Sequence, residues 1–201
     1  MSTSAVILAA GSATRLPNKV VLPLKGGYIL VESAIQFALA AGVDSDDLVI
    51  VCRPDSPLRR ILESRGWDFR CVYQPEPLGV TDAISRGSHC VDTDPLILFG
   101  DNLYDLKAGE LLQTRSVLMH ASTSITDMPE LDGWGGTAWV SRESAPRHKF
   151  LGWIAPPLEA ARKASGGLLQ WMNGTNLRPF GQDVARDLGT EMAYDLYWAE
   201  D

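Results

Sequence analysis

Cysteine, histidine, basic charge and long apolar runs are all in short supply in this chain, and each shortage removes a class of function. The three cysteines, Cys52, Cys71 and Cys90, form neither a C-x-x-C pair nor an even set, so buried thiols are expected rather than metal or redox centres. The three histidines, His89, His120 and His148, form no cluster. Lys and Arg number 18 against 25 Asp and Glu, a formal charge of −7, and a polyanion-binding surface normally leaves the opposite excess. A nucleic-acid partner is therefore not expected. No stretch approaches the ~20 continuous apolar residues of a membrane span, and the first residues lack the basic and apolar regions of a signal peptide. A cytoplasmic protein without a membrane partner is the expectation. Repeats, low-complexity tracts and an appended β-solenoid are also missing.

What is present is a chain of 201 residues, 45% hydrophobic, enough for one substantial core and a single domain over 1–201. Apolar runs alternate with helical patterns through the first hundred residues, which predicts an α/β fold with a mostly parallel, Rossmann-like sheet flanked by helices. The strand candidates are Ala5 to Ala9, Leu48 to Cys52, Phe69 to Tyr73 and Leu96 to Phe99. Leu30, Ala34, Phe37, Ala38 and Ala41 recur at helical spacing before Gly42. Ser56 is suited to cap a second crossover helix starting at Pro57 and ending at Gly66. A third runs from about Thr81 to Cys90. Beyond Asp101 the pattern loosens into glycine-rich turns, a strand at Phe150 to Ile154 and a helix at Leu158 to Ala164. For Met192 to Trp198, periodicity leaves strand and helix open.

The densest chemical signal is Ala5-Val6-Ile7-Leu8-Ala9-Ala10-Gly11-Ser12-Ala13-Thr14-Arg15-Leu16, with Lys19 just beyond. A strand that breaks into small residues offers bare backbone N–H groups to an anion, and two cations follow at short range. It reads as a place to hold a nucleoside triphosphate. Gly11 stands alone, so neither the G-x-G-x-x-G fingerprint nor the G-K-[ST] loop is met, and Leu16-Pro17-Asn18 stops a helix from starting there. The loop must wrap around its ligand.

This segment resembles the signature loop of the sugar-1-phosphate nucleotidyltransferases, the glucose-1-phosphate thymidylyltransferase and uridylyltransferase group with the nucleotide-diphospho-sugar transferase fold. Gln74-Pro75-Glu76-Pro77-Leu78-Gly79 is similar to that family's base-reading turn, and Leu96-Ile97-Leu98-Phe99-Gly100-Asp101-Asn102 to its metal strand. The resemblance implies a nucleotide-binding half over 1–105 and an acceptor-binding half over 106–201, the latter a small mixed β region. Ala9, Ala10, Gly11, Ser12, Ala13, Thr14 and Arg15 would bind the nucleotide. Arg15 resembles the arginine holding the β- and γ-phosphates, and its forked guanidinium suits bidentate phosphate contact. Lys19 resembles the catalytic lysine at the α-phosphate; Lys25 is its rival by spacing from Arg15, and Val20-Val21-Leu22-Pro23-Leu24 favours Lys19.

Asp101, at the carboxyl end of an apolar run, lies where open parallel sheets put ligand groups, and it resembles a Mg²⁺ ligand. Asp105 is a weaker, exposed neighbour. For a second metal carboxylate, Asp187 preserves D-x-G-T and Asp201 comes next. Gln74 carries an amide donor and an acceptor suited to a pyrimidine edge, and Gly79 would leave room for the ring. Together Arg15, Lys19 and Asp101 form the expected catalytic set, and Mg²⁺ the expected cofactor. The reaction implied joins a nucleoside triphosphate, UTP or dTTP favoured, to a sugar 1-phosphate with release of pyrophosphate. The short Arg15 to Lys19 spacing is closer to the guanylyltransferases of molybdenum-cofactor biosynthesis, and a cytidylyltransferase for phosphocholine-like acceptors is a further alternative. No clear E-K-P acceptor element is present, which keeps open a nucleotide-binding regulatory module without catalysis. Homo-oligomerisation is left open.

Overall fold

Ala5, Val6 and Ile7 are apolar in unbroken succession, and a run of that kind needs cover on both faces. In the computed structural model, which describes residues 3–11, 18–106, 153–175, 185–188 and 191–199, it has that cover. β1 (Thr3–Leu8) lies at the middle of a five-stranded sheet with β2 (Val43–Cys52), β3 (Arg70–Tyr73), β4 (Pro95–Phe99) and β6 (Trp153–Ile154), in the order β3-β2-β1-β4-β6. The first four strands are parallel and β6 runs antiparallel to β4. A second, two-stranded antiparallel sheet pairs β5 (Asn102–Tyr104) with β7 (Ala185–Asp187).

Alternation along β1 divides the core. Ala5 and Ile7 join the cluster built on α1 (Leu30–Ala40) and α2 (Leu58–Ser64), through Ala34, Phe37, Leu58 and Leu62. Val6 faces the other way, toward α3 (Val80–Ser88), α4 (Leu158–Arg162) and α5 (Leu168–Gly174), through Ala83, Ile84, Ala161 and Met172. On that side α3 comes so close to the sheet that a Cβ at Gly87 would overlap a Val6 methyl. Only glycine permits this approach.

One buried charge ties the first crossover to the second. Glu32, 2% exposed, accepts hydrogen bonds from the Ile29 N–H at 2.7 Å, from Arg65 Nε at 2.6 Å and Nη2 at 2.8 Å, and from Trp67 Nε1 at 2.6 Å. Burial alone pushes its pKa up, but the hydrogen bonds from Arg65, Trp67 and Ile29 outweigh that and hold the carboxyl below its usual range.

Several boundaries move from their sequence-based positions. β2 begins at Val43 rather than Leu48, because Val43 pairs with Thr3 and a register shift lets the polar Asp44 to Asp47 segment be carried along β1. Pro57 is the cap of α2 rather than its first residue, and the Ser56 hydroxyl accepts from the Leu58 N–H at 3.2 Å. The third crossover helix covers Val80–Ser88, and α4 stops at Arg162. The segment from Met192 to Trp198 is helical, within α6 (Glu191–Ala199). Cys52 is buried, while Cys71 and Cys90 are half-buried, and all three are free thiols. Cys52 and Cys71 sit 3.2 Å apart, sulfur to sulfur, and burial first, then the neighbouring thiol, push the Cys52 pKa up. Among the described residues no helix is long and apolar enough to cross a membrane.

Candidate active site

The chain runs from β1 to β2 to β3 on one side and then crosses so that β4 pairs with the opposite edge of β1. This reversal leaves a crevice outside the carboxyl ends of β1 and β4, the general position for ligands in open α/β sheets. Ladder hydrogen bonds continue past the strands and hold three loops abreast. The Ala9 N–H donates to Val51 O at 2.8 Å, the Gly100 N–H to Leu8 O at 2.9 Å and the Gln74 N–H to Cys52 O at 2.9 Å. Between them opens a cleft of about 280 Å³, whose walls include Ala9, Ala10 and Gly11 after β1, Asp101 after β4, and Gln74 and Gly79 after β3.

Lys19 reaches the same cleft from a 3-10 turn over Lys19–Val21. Val20 is buried beneath it, and the Leu30 N–H donates to Leu22 O at 2.9 Å, so the turn is fastened to the start of α1. Lys19 Nζ donates to Asp101 Oδ2 in an ion pair whose members are each 21% exposed. Lys25 lies elsewhere. Its Nζ is 5.5 Å from the centre of the Tyr197 ring, and its backbone N–H donates to the Tyr197 hydroxyl at 2.8 Å.

The turn that carries Asp101 is braced from behind by a residue that sequence reasoning passed over. The Tyr104 hydroxyl accepts from the Phe99 N–H at 2.9 Å and donates to the Phe99 carbonyl at 3.2 Å, while the Tyr104 N–H donates to Ser33 Oγ at 2.7 Å. Burial pushes the phenol's pKa up. From the far end of the chain, the backbone of Asp187 pairs with Asn102, and the Leu188 N–H donates to the Asp101 carbonyl at 3.2 Å. The backbone at the second carboxylate candidate thus adjoins the first. Asp105 is exposed.

Gln74, 3% exposed, uses its amide nitrogen within the protein. Nε2 donates to the Gly79 carbonyl at 2.9 Å and to Asp82 Oδ2 at 2.8 Å. Gly79, at φ 96°, occupies backbone space that side chains rarely adopt, although a Cβ there would meet nothing within 4 Å. Its requirement is therefore conformational in the first place. Of the other expected residues, Ser12, Ala13, Thr14 and Arg15, and also Asp201, lie outside the described residues.

A model of the nucleotidyl transferase family matches residues 4–130, more than half of the chain. The chain belongs to that family. This nucleotidyltransferase is also similar in fold to a nucleotidyl transferase from Methanothermobacter thermautotroptrophicus, at 19% identity and a TM-score of 0.63, covering 100% of this chain and 99% of the other. Comparison with curated proteins finds no match. The nucleotidyltransferase is of the nucleotide-diphospho-sugar transferase type, as the resemblance implied.

Two supporting residues of the nucleotidyltransferase were only partly visible beforehand. Asp82 and Arg86 have the i,i+4 spacing of a helical ion pair, and Arg86 Nε does meet Asp82 Oδ2 at 2.6 Å. Nothing local, however, says that Asp82 also reaches Gln74 on another element. Tyr104 carried no signal at all, because its partners depend on how β5 turns back beside β4.

Proposed function

We propose that the enzyme joins UTP or dTTP to a sugar 1-phosphate, with Mg²⁺, and releases pyrophosphate. The observation that carries this reading is the convergence of four groups from three separate stretches of the chain, Gly11 and Lys19, Gln74, and Asp101, on one cleft. An oxygen of the acceptor phosphate attacks the α-phosphorus in line. The new O–P bond forms as the bond from the α-phosphorus to the bridging oxygen breaks, and pyrophosphate leaves with that electron pair. The nucleophile is already an anion, so positioning and charge neutralisation supply most of the rate.

In this reading Lys19 neutralises charge at the α-phosphate, where it shifts during attack, and Arg15 does so at the β- and γ-phosphates. Backbone N–H groups of Ala10 and Gly11 face the phosphate chain, while that of Ala9 is held by the Val51 carbonyl. Before nucleotide binds, Asp101 keeps the Lys19 ammonium at the cleft, and the pair separates onto new partners as phosphate enters. The donor set suits Mg²⁺: a hard cation that keeps water and takes one or two carboxylates plus substrate phosphate oxygens. Such an ion does not require a full protein cage; among the described residues no group of three metal-ligating side chains is present. Asp101 would hold the ion, with Asp187 as the second carboxylate, and the bound ion would neutralise phosphate charge. Local cations and the ion reverse the field of a chain whose formal charge is −7.

The test is a screen of the common triphosphates against sugar 1-phosphates and choline phosphate, with and without Mg²⁺, read by pyrophosphate release. UTP or dTTP with a sugar 1-phosphate is expected to give the fastest turnover. A preference for choline phosphate with CTP, or for GTP, replaces this reading with the corresponding alternative. Nucleotide binding without turnover on any acceptor means a regulatory module.

A further inference from the structure

Gln74 is held in a way that determines what it can offer a ligand. Its Nε2 has two protons, and its two partners, the Gly79 carbonyl and the Asp82 carboxylate, are both acceptors. The nitrogen end of the amide must therefore face them. Both donors are consumed, and Oε1 is what remains; among the described residues no hydrogen bond reaches it. Asp82 is itself fixed, because Arg86 one turn along α3 donates to the same carboxylate oxygen. The Arg86 guanidinium in the first place, and the Gln74 amide, hold the Asp82 carboxyl below its usual range against the opposing effect of burial. At neutral pH Asp82 is an acceptor only.

We infer that Asp82 is a positioning residue for base choice: it makes Gln74 an obligate acceptor, so the cleft takes a base whose ring nitrogen carries a proton and rejects one whose ring nitrogen is bare. This rests on Gln74 reading the base, as proposed above. On the Watson–Crick edge of uracil or thymine N3–H is the sole donor, so it is the group that meets Oε1. Cytosine presents a bare N3 at that place, and two acceptors then face each other at a glutamine that is only 3% exposed. A polar group built to pair and left unpaired is a strong source of discrimination. A glutamine free to turn would not discriminate, since its nitrogen end would serve cytosine equally well. The carboxylate of Asp82, together with the Gly79 carbonyl, removes that freedom.

The experiment compares kcat/KM for UTP and CTP, with one sugar 1-phosphate, in the wild type, Asp82→Asn, Gln74→Ala, the double variant, and Arg86→Met. The amide introduced by Asp82→Asn can turn its own donor toward Gln74, so the UTP to CTP ratio is expected to fall by about tenfold in that variant. It should fall as far in Gln74→Ala and no further in the double variant, because Asp82 acts through Gln74. Arg86→Met, a change at a partly exposed helix position, should lower the ratio in the same direction and remains informative if Asp82→Asn does not fold. If Asp82→Asn, or Arg86→Met in its place, slows both nucleotides by one common factor while Gln74→Ala changes the ratio, the positioning role is refuted and base reading by Gln74 stands. If Gln74→Ala leaves the ratio unchanged, or the wild type prefers CTP, both fall together.

Discussion

Lys19→Ala and Lys25→Ala, compared in one set of assays, test the central assignment. The ion pair of Lys19 with Asp101 is about one-fifth exposed on each side, and pairs in contact with water contribute about 1 kcal/mol or less to folding. Urea unfolding of Lys19→Ala should therefore shift only slightly. Its catalytic cost is of another order: removing even one neutral hydrogen-bond donor from a developing oxyanion typically costs roughly 10²–10³ in kcat, about 2.7–4 kcal/mol. A loss of activity far larger than the loss of stability is the signature of a group that acts mainly in the transition state. Lys25→Ala removes an ammonium 5.5 Å from the Tyr197 ring but keeps the backbone hydrogen bond to that hydroxyl. Its pyrophosphate release rate should match the wild type. A dispensable Lys19 together with an essential Lys25 would refute the reasoning, and with it the reading of Asp101 as Lys19's partner at the reacting phosphate.

Asp101→Asn should nearly abolish turnover while far-UV circular dichroism and the unfolding midpoint stay near wild type; a near-normal rate at limiting Mg²⁺ means that Asp101 does not hold the ion. Tyr104→Phe deletes both hydrogen bonds to the Phe99 peptide and should cost about 2 kcal/mol in urea unfolding, with kcat reduced more than KM because the Asp101 turn loosens. An unaltered midpoint would show that the hydroxyl is no brace. Glu32 has a folded-state pKa below its ordinary value, so its stabilisation is fully present above that ordinary value and is lost as pH falls through the lowered one. Urea midpoints measured from pH 6 downward should drop in the acid range, and Glu32→Gln should be less stable at pH 6 yet flatter on acidification; a parallel decline in both proteins counts against the Glu32 network.

The order of strands and crossover helices through Phe99 was decided by local patterning, because a strand covered on both faces and a helix with one apolar stripe each write their period into neighbouring residues. β1, β3, β4 and α1 follow that pattern to within two residues. The lengthened β2 does not, since Asp44 to Asp47 are poor strand formers, and Val43 ahead of them is joined to the strand only by its pairing with Thr3 across a register shift. The helix at Glu191–Ala199 was likewise undetermined, its apolar residues fitting either period. The site divides in the same way. Gly11, Lys19, Gln74 and Asp101 stood out individually because the residue type and the strand-end position together suggest phosphate, base or cation chemistry. That they face one cleft depends on β4 crossing to the far side of β1, a long-range choice that no window of sequence contains. The same crossing and return decide which backbone meets Asp101 from residue 188, and which carboxylate fixes the Gln74 amide was decided where α3 packs against the end of β3. Types of residue are chosen locally, but hydrogen-bond geometry is sensitive to tenths of an ångström, and only tertiary packing places side chains with that accuracy.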